Sequence, residues 1–531
     1  MYFTARGSLE KNCQSFNSFL AFIVIKTWSE AGFFLPRDDK SIILIGIGLE
    51  AFAGRIFVKI CVVNGSPKGR DSVTMQYVRF LELAFPEHTF LIEDVGQHIH
   101  AIETQDAEFA AVIASVSASD AVLFATPVYY MLVPAQLKRF IERVFARNAR
   151  SAFSGKYAAS ITTSIHFFDH TANAYLHAIA EDLGMSFTGS FPAAMDDLLS
   201  VTVQEQLFLF GSDFFAAVAG KPCIQQMYLP VHFPTFHYSP GPAPVPFDST
   251  GKKVVILTDA VSGSNLERMV TRAAACFGKT SAVLSVQDAG MKGGCLGCVR
   301  CAFDNTCVYT DGFCKFWSEQ VLAADILVLA GTVRDRFLSA DIKQMLDRSF
   351  FLGHVPCMAG KQFGYLIEGP FSQLATLREV LTAFPSLQGA NLAGIVTDED
   401  GDSVAIDARI DALAERCIRL SVSGYMSPSM FPQIAGHKLF RDEIWGEMRA
   451  FFKADDRQYR QAGLYDFPQK NYVKRIQTSL FSLFMSLPPI RNQARQNMKK
   501  HMIQPFGRVF TESPVLKREA DLWEKRTVEK K

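Results

Sequence analysis

Short apolar runs alternate with helical patterns from residue 58 to about residue 222, and the same alternation begins again at residue 254. This repetition constrains the fold more than any other feature of the chain. It is typical of a parallel sheet covered by helices on both faces, and its recurrence indicates an internal duplication. The pattern predicts strands at 60–63, 90–92, 121–125, 157–162, 254–257, 281–284, 326–329 and 363–367, and helices at 73–83, 109–118, 135–145, 174–183, 266–276, 316–323 and 340–350.

The length of 531 residues exceeds what one hydrophobic core usually supports, and 49% of the residues are apolar against 20% charged. We therefore expect a packed globular protein of two or three domains. Six prolines between 230 and 246 favour an extended, semi-rigid spacer between the repeats. The expected organisation is a peripheral extension at 1–55, an α/β domain at 56–225, a Pro-rich linker at 226–251, a second α/β domain at 252–435 and a basic helical extension at 436–531.

Four cysteines lie within thirteen residues, in the loop that follows the predicted strand 281–284: Cys295, Cys298, Cys301 and Cys307. Thiolates at this density can wrap one compact iron–sulfur cluster. A structural zinc site is the alternative, although zinc loops more often separate two ligand pairs by a dozen or more residues. Such ligands need reduced thiols, which favours the cytoplasm. The other seven cysteines are scattered and are interpreted as core fillers: Cys13, Cys61, Cys223, Cys276, Cys314, Cys357 and Cys417.

The loop after the first predicted strand, residues 64–74, has the sequence NGSPKGRDSVT and leads directly into a helix. Hydroxyls, positive charge and the amide groups of a helix N-terminus suit a monophosphate. The loop is neither Gly-x-Gly-x-x-Gly nor Gly-x4-Gly-Lys-Ser/Thr, which disfavours a Rossmann dinucleotide site and P-loop hydrolysis. The alternative is an ordinary polar turn with a Ser cap. The candidate phosphate ligands are Ser66, Lys68, Ser72 and Thr74.

Two further loops follow neighbouring predicted strands and should therefore lie at the same carboxyl edge of the sheet, where open α/β sheets bind ligands. The first could pack on a flat ring, and the second could hydrogen-bond it. The alternatives are that the tyrosines are packing residues and that the histidine is a structural group. The candidates are Pro127, Val128, Tyr129, Tyr130 and Met131 in the first loop, and Ser164 and His166 in the second.

These loops together resemble those of the flavodoxin-like, FMN-binding family that includes NAD(P)H-dependent FMN reductases and iron–sulfur flavoproteins. The resemblance covers most of residues 58–200. It is carried by GSPK with Ser72 and Thr74, and by Pro-Val-Tyr followed by Ala135 to Lys138. It implies two tandem flavodoxin-like doubly wound parallel sheets, FMN bound by the candidates named above, and NAD(P)H as electron donor.

The second half resembles the iron–sulfur flavoproteins in a different stretch, GCLGCVRCAFDNTCVYTDGF at 294–313. This resemblance implies a 4Fe–4S cluster on the four cysteines. The flavin loops of this half have decayed, because no Gly-Ser-Pro follows its first strand and Val333-Arg334-Asp335 replaces Pro-Val-Tyr. Conversely, residues 92–104 of the first half contain no cysteine. The complementary losses predict a fused pseudo-dimer, with FMN in one half, the cluster in the other, and the halves packed about a dyad.

The functional hypothesis is electron transfer from NAD(P)H through FMN to the cluster, serving a small-molecule or protein partner. Flavin chemistry needs no acid or base from the protein, and the sequence has no Ser-His-Asp, Cys-His or helical His/Glu metal motif. One alternative is a zinc-stabilised flavodoxin-like protein that senses redox state or binds a partner. The other is an FMN-dependent quinone or flavin reductase without a cluster. The sequence leaves open whether the chain forms a homo-oligomer.

The C-terminal residues 470–531 hold fourteen Lys/Arg and five Asp/Glu, a net charge of +9. Their apolar positions between 480 and 487 are compatible with a helix that lies on an anionic membrane. The favoured interpretation is a helix docked on the protein with a solvated charged end. Nucleic-acid binding is disfavoured, because no aromatic residues interleave with the basic ones. The apolar run 19–25 is too short to span a bilayer, so no transmembrane segment is expected.

Overall fold

The computed structural model describes residues 57–353, 356–465 and 471–528. The expected N-terminal extension, with Cys13 and the apolar run 19–25, lies outside the described residues. From Phe57 onward the chain forms one compact unit. Within the described ranges, every helix is too short or too polar to cross a bilayer.

The first half contains a five-stranded parallel sheet with the order β2-β1-β3-β4-β5. This is the strand order of flavodoxin-like folds. The central strands are buried along almost their whole length, because helices cover both faces of the sheet. The strands are β1 (Lys59–Asn64), β2 (Thr89–Glu93), β3 (Ala121–Pro127), β4 (Tyr157–Ser164) and β5 (Ser186–Ala194).

Six helices flank this sheet, and four of them were predicted. The helix at 95–104, the long helix at 201–220 and the edge strand β5 were not. The helices are α1 (Val73–Ala84), α2 (Val95–Thr104), α3 (Asp106–Ser117), α4 (Ala135–Ala146), α5 (Asp169–Asp182) and α6 (Val201–Gly220).

The second half repeats this architecture, with the order β7-β6-β8-β10-β11 and the two-residue strand β9 paired antiparallel to β8. The prediction of two flavodoxin-like parallel sheets is therefore confirmed. The strands are β6 (Val254–Thr258), β7 (Ser281–Ser285), β8 (Ile326–Arg334), β9 (Phe337–Leu338), β10 (Gln362–Glu368) and β11 (Asn391–Thr397), and the helices are α7 (Asn265–Phe277), α8 (Ala340–Arg348), α9 (Ala375–Leu387) and α10 (Ser403–Ser423). A π-helical turn, Phe316–Val321, stands where an α-helix was expected.

The Pro-rich segment between the halves contains neither helix nor strand, and it is fastened to the protein by contacts at several points. Tyr238 is fully buried, and its hydroxyl donates to Asp407. At the start of the segment, the backbone amides of Met227 and Tyr228 each donate to Glu181 over 2.8 Å. The segment is therefore a docked strap, because its backbone groups and an aromatic ring have fixed partners.

Helices α4 and α8 pack against each other and exchange carboxylate caps. The Ala135 amide at the start of α4 donates to Asp347 of α8 over 2.7 Å. The Ala340 amide at the start of α8 donates to Glu142 of α4 over the same distance. Each carboxylate satisfies an amide that has no partner within its own helix and lies at the positive end of the helix dipole. The two caps are reciprocal, because each helix supplies a carboxylate to the first amide of the other.

Two buried lysines make a second pair of reciprocal hydrogen bonds between the halves. Lys138 of α4 donates to the carbonyl of Arg334 over 2.8 Å, and Lys343 of α8 donates to the carbonyl of Tyr129 over 2.8 Å. Both lysine side chains are fully buried. Each lysine therefore ties one half to the loop that precedes the packed helix of the other half.

The C-terminal region is helical, as predicted. Its last two helices return to the first half and bury Phe506, Val509, Val515 and Leu516 in the core beside α1. The helices are α11 (Phe431–Trp445), α12 (Lys453–Gln461), α13 (Tyr472–Phe484), α14 (Pro488–Ile503), α15 (Phe506–Glu512) and α16 (Pro514–Val528). Helix α13 is docked on the protein by hydrogen bonds from Arg449 and Lys453, although none of its residues is buried.

Candidate flavin and cysteine-loop site

A cavity of about 860 Å³ lies at the carboxyl ends of β1, β3 and β4. Ligand pockets of this size hold molecules as large as a nucleotide cofactor. The structure brings every predicted site residue to this cavity, although they come from both halves of the chain. Its wall includes Ser66, Lys68, Ser72, Thr74, Pro127, Val128, Tyr129, Tyr130, Met131, Ser164, His166, Cys295, Cys298, Cys301 and Cys307.

The predicted phosphate loop is held in place by its own side chains. The side-chain oxygen Oδ1 of Asn64 accepts from the Ser66 amide over 3.0 Å, and the Ser66 hydroxyl accepts from the Lys68 amide over 3.3 Å. Ser72 caps α1 by accepting from the Met75 amide over 3.3 Å. The first turn of α1 therefore directs its remaining amides at the cavity, which is the arrangement that binds phosphate groups.

Lys68 extends from this loop toward the cysteine loop. Its ammonium donates to the Met502 sulfur of α14 over 3.6 Å. Burial lowers the pKa of Lys68, while the neighbouring thiols of Cys295 and Cys298 act in the opposite direction. This lysine therefore lies between the predicted phosphate site, the cysteine loop and the C-terminal extension.

The loop after β3 contains two residues in the left-handed backbone region, Tyr130 at φ 45° and Met131 at φ 66°. Such backbone conformations persist only where the surroundings hold them, and they are frequent at functional sites. Here Tyr129 and Leu132 exchange two backbone hydrogen bonds of 2.8 and 3.1 Å across the turn. The Thr171 hydroxyl fixes the turn further by donating to the Met131 carbonyl over 2.6 Å.

The two tyrosines of this loop have different surroundings. Burial raises the pKa of Tyr129 well above its usual range, so the phenol stays neutral beside the cysteine loop. Tyr130 packs on Phe384 of α9 with ring centroids 5.6 Å apart, and its hydroxyl accepts from Gln388 over 3.0 Å. Tyr130 therefore packs the two halves together. For this tyrosine, the contacts agree with the alternative that the tyrosines are packing residues.

The second half repeats this turn at Asp335 and Arg336, which have φ values of 44° and 65°. The turn leads in both halves into a helix that starts at an alanine, Ala135 or Ala340. The backbone geometry has therefore survived in the second half, while the aromatic side chains have been replaced.

The loop after β4 is organised around its two predicted residues. The His166 amide donates to the Ser164 hydroxyl over 2.8 Å, and the His166 Nδ1 atom lies 2.7 Å from an Asp169 carboxylate oxygen. His166 has a φ of 62°, and half of its side chain is exposed. The imidazole is therefore oriented by a carboxylate at the cavity wall, while the Ser164 hydroxyl is engaged in its own turn.

The cysteine loop docks directly on the loops of the first half. The Gly297 amide donates to the Cys295 sulfur over 3.4 Å, and Gln136 of α4 donates to the Cys295 carbonyl over 3.0 Å. Gly297 has a φ of 60°, and a Cβ atom there would overlap the Tyr129 hydroxyl and come within 3.3 Å of Lys68. Only glycine permits this approach. Burial raises the pKa of Cys295 to about 12.

Arg348 of α8 fastens both ends of the cysteine loop, a role that sequence reasoning missed. It donates to the Gly293 carbonyl over 3.0 Å and to the two Asp311 carboxylate oxygens over 2.8 and 2.9 Å. Both charged side chains are only 1% exposed. The guanidinium also lies 4.3 Å from the Tyr309 ring centroid and 5.0 Å from that of Phe313. A bidentate pair of this kind sets geometry as well as charge.

A matching arginine in the first half could have revealed this role. Arg143 stands at the same position of α4 as Arg348 does of α8, and it donates to Glu103 of α2. In each half the arginine therefore fastens the segment that follows the second strand of the sheet. That segment is helix α2 in the first half and the cysteine loop in the second.

Two of the interpreted core cysteines do not fit that role. Cys314 is partly buried and hydrogen-bonds Cys307, an interaction that lowers the pKa of Cys307. Cys223 is exposed. The burial of Cys61, Cys276 and Cys417 agrees with the core interpretation, and Cys357 is partly buried against the core. Cys314 belongs with the cysteine loop, because its helical turn begins directly after the fastened Asp311.

Within the described residues, no group of three or more His, Cys, Asp or Glu side chains is arranged to hold one metal ion. The thiolates of a 4Fe–4S cluster bind different irons. They therefore surround a cluster from several sides, whereas the ligands of a single ion converge on one point. Cys295, Cys298, Cys301 and Cys307 all line the cavity.

The place that corresponds to the phosphate loop in the second half is filled by the strap. Asn265, at the start of α7, accepts from the Tyr238 amide over 2.9 Å and donates to the Phe236 carbonyl over 2.8 Å. It also donates to the Asp398 carboxylate over 2.8 Å. The N-terminus of α7 is thus occupied by the strap and faces carboxylates. This agrees with the loss of the phosphate-loop sequence in the second half.

The C-terminal extension supplies part of the cavity wall, which no sequence motif had indicated. Phe440 of α11 packs on Phe167 with ring centroids 4.7 Å apart. Phe451, Met498 and Met502 also line the cavity. The same extension also brings charged side chains to the cavity, among them Glu443, Asp455 and Lys474, so its part of the wall is mixed in character.

Residues 58–196 match a family model described as NADPH-dependent FMN reductase. The match spans the first sheet and all three predicted flavin loops. An iron–sulfur flavoprotein of Archaeoglobus fulgidus is 50% identical over 46 residues, which are 9% of this chain and 21% of the relative. The match therefore spans about a fifth of the length of that curated relative.

Several solved structures are similar to this chain. The NAD(P)H:(acceptor) oxidoreductase FerB from Paracoccus denitrificans is 21% identical, with a TM-score of 0.27. The alignment covers 31% of this chain and 98% of that chain. An NADH:FMN oxidoreductase in its apo form has 18% identity, coverage of 30% and 88%, and a TM-score of 0.26. An NAD(P)H:quinone oxidoreductase from Methanothermobacter marburgensis has 14% identity, coverage of 32% and 100%, and a TM-score of 0.21. At these scores the likeness carries no information about activity.

Proposed function

We propose that the chain is an FMN-dependent NAD(P)H oxidoreductase that passes electrons between FMN in its first half and a 4Fe–4S cluster on Cys295, Cys298, Cys301 and Cys307. One observation carries this proposal. The predicted flavin loops and the cysteine loop line the same cavity, and Gly297 of the cysteine loop contacts Tyr129 and Lys68 of the flavin loops. Two redox groups held there would be near neighbours within one chain.

The residues present fit FMN. Ser66, Ser72, Thr74 and Lys68 would hold the phosphate at the N-terminus of α1, where amides and hydroxyls converge. The loop from Pro127 to Met131 would pack along the ring system. When bound, FMN supplies both hydride and single-electron chemistry. The protein would position the ring, and aromatic side chains of the cavity such as Tyr129, Phe167 and Phe440 would shield it from part of the solvent.

The residues of the cysteine loop fit a cluster. The Gly297 amide already points at the Cys295 sulfur, and hydrogen bonds of this kind tune cluster potentials. Arg348 and Asp311 hold the two ends of the loop from buried positions. When bound, the cluster supplies one-electron storage. A zinc site on the same thiols is the competing assignment.

The reciprocal caps of α4 and α8 support the view that residues 56–225 and 252–435 form the two halves of a fused dimer. Two carboxylates and two lysines make matched contacts across the interface. The cavity then corresponds to one of two sites about the dyad. The second has lost its flavin loops and is filled by the strap at Asn265.

Anaerobic purification followed by assay of FMN, iron and acid-labile sulfide tests the proposal. We expect flavin and cluster absorption together, and a paramagnetic iron signal after reduction with NADH or NADPH. Cys298→Ser should lose iron and sulfide but keep FMN. Cys223→Ser, at an exposed cysteine, is the matched control and should keep both. Stoichiometric zinc without sulfide would contradict the cluster, and protein without flavin would contradict the FMN site.

A further inference from the structure

Helix α13 presents its apolar side to solvent. Val473, Ile476, Leu480, Leu483 and Leu487 recur at spacings of three and four residues, so they form one stripe along the helix and the turn after it. Their exposed fractions are 69%, 62%, 55%, 68% and 51%, in that order. An exposed contiguous stripe of this kind marks an interaction surface, whereas single exposed apolar residues do not.

The polar side of the same helix holds it to the protein. The Ser479 hydroxyl accepts from Arg449 over 2.6 Å. Lys453 donates to the Ser482 carbonyl over 2.9 Å and to the Ser486 hydroxyl over 2.8 Å. The usual orientation of an amphipathic helix on a globular protein is therefore reversed. The outward direction of the stripe is set by specific hydrogen bonds and is not the result of a detached helix.

Helices α13 and α14 are rich in basic residues. From Tyr472 to Ile503, helices α13 and α14 contain six Lys/Arg and no Asp/Glu. Lys499 and Lys500 are exposed and form no ion pair with another described residue. Tyr472 and Phe484, near the two ends of α13, are 65% and 59% exposed. Apolar stripe, aromatic ends and unbalanced basic charge together are the features of helices that lie in a membrane interface.

We propose that α13 and α14 dock the protein on an anionic lipid surface. The stripe enters the boundary between headgroups and acyl chains, and the basic side chains of α14 contact lipid phosphates. Lys474 pairs with Glu447 and Arg495 pairs with Asp304, but Lys499 and Lys500 form no ion pair with another described residue. Two such surfaces would bring these lysines together, which favours an anionic lipid surface over a second copy of the chain. The helices also supply Lys474, Met498 and Met502 to the cavity wall, so the docked surface adjoins the candidate site.

Vesicle flotation with the full chain tests the proposal and requires neither cofactor. We expect the protein to float with vesicles of phosphatidylcholine and phosphatidylglycerol, to stay unbound with phosphatidylcholine alone, and to be released by salt. Leu480→Glu with Leu483→Glu should abolish flotation. Leu209→Glu, at a residue of α6 that is 63% exposed, is the matched control and should float like the wild type. Lys499→Glu with Lys500→Glu should weaken flotation without touching the stripe.

Several results would overturn the proposal. The wild type could fail to float with anionic vesicles, or the leucine variant could float as well as the wild type. Light scattering could instead show a dimer that the leucine substitutions dissociate, which would assign the stripe to self-association. Circular dichroism melting of each variant shows that it is folded, and the lysine variant is a second test that leaves the packing of α13 unchanged.

Discussion

Gly297 is the residue at which the two halves come closest in the candidate site. We expect Gly297→Ala to fold but to move the cysteine loop away from Tyr129, because the new Cβ atom has no space. The left-handed backbone adds a penalty of about 1–2 kcal/mol for any residue with a Cβ. Iron content and the rate of iron reduction by NAD(P)H should fall, while bound FMN should not.

Gly290→Ala is the matched control, since Gly290 has a φ of 59° but its nearest neighbour would be 3.6 Å from the new Cβ. The same backbone penalty applies there without the contact. Equal losses of iron in the two variants would show that the backbone conformation, and not the contact with Tyr129, is responsible.

The ionisation of Asp311 makes the stability of the folded protein depend on pH. Burial raises its pKa, but the hydrogen bonds from Arg348 and from the Lys292 amide outweigh burial and hold the pKa near 2, below the ordinary 3.8. The ionised form is thus favoured in the folded protein. Its stabilising effect should be complete above about pH 4 and should disappear as the pH falls toward 2. Asp311→Asn should therefore lower the Tm at pH 6, and the difference should shrink on acidification.

Thermal melts of wild type and Asp311→Asn at several pH values check this expectation. Asp213→Asn, at an exposed carboxylate of α6, serves as the control and should leave the melting curve unchanged. A Tm difference that stays constant between pH 6 and pH 2 would contradict a role for the ionised Asp311.

At the scale of elements, the packing of α4 on α8 depends on a buried charge pair. Lys343 and Asp347 are both fully buried, and burial raises the pKa of Asp347 to about 6 in spite of the lysine. Asp347→Asn leaves the lysine without a counter-charge, and breaking a buried pair in this way costs about 3–5 kcal/mol. We expect Lys343→Met combined with Asp347→Leu to cost much less, because no charge stays buried.

Denaturant unfolding measures both variants. The exposed pair Lys315 and Glu319 has the same four-residue spacing and provides the control. Glu319→Gln should change the free energy of unfolding by less than about 1 kcal/mol. If the double variant at α8 is as unstable as the single one, loss of the hydrogen bonds to Ala135 and Tyr129 outweighs the charge effect.

At the scale of the whole molecule, both predicted redox groups belong to one chain. The first-order rate of cluster reduction by bound FMN should therefore not change on dilution, because no second chain is needed to complete the cavity. Stopped-flow absorbance at a series of protein concentrations measures this rate. A rate that falls on dilution would show that the working site is shared between chains.

The sequence by itself determined the elements that depend on local patterns. The predicted strands of both sheets agree with the structure, since buried parallel strands are short apolar runs between turn signals. Two of the elements that it missed, β5 and α6, have weak local signals. Gly189 and Pro192 interrupt the edge strand β5. Helix α6 has apolar residues on its exposed side, such as Leu209, which obscures the helical period.

The motifs of the candidate site were also readable, because each lies in one short segment after a strand. The packing of the segments was not. Tertiary structure decided that Gly297 meets Tyr129, that Arg348 closes the cysteine loop and that Cys314 joins Cys307. It also decided that the polar side of α13 faces the protein. Except for the contact between Cys307 and Cys314, these outcomes depend on residues far apart in the chain. Local periodicity carries no information about which side of an element will find a partner.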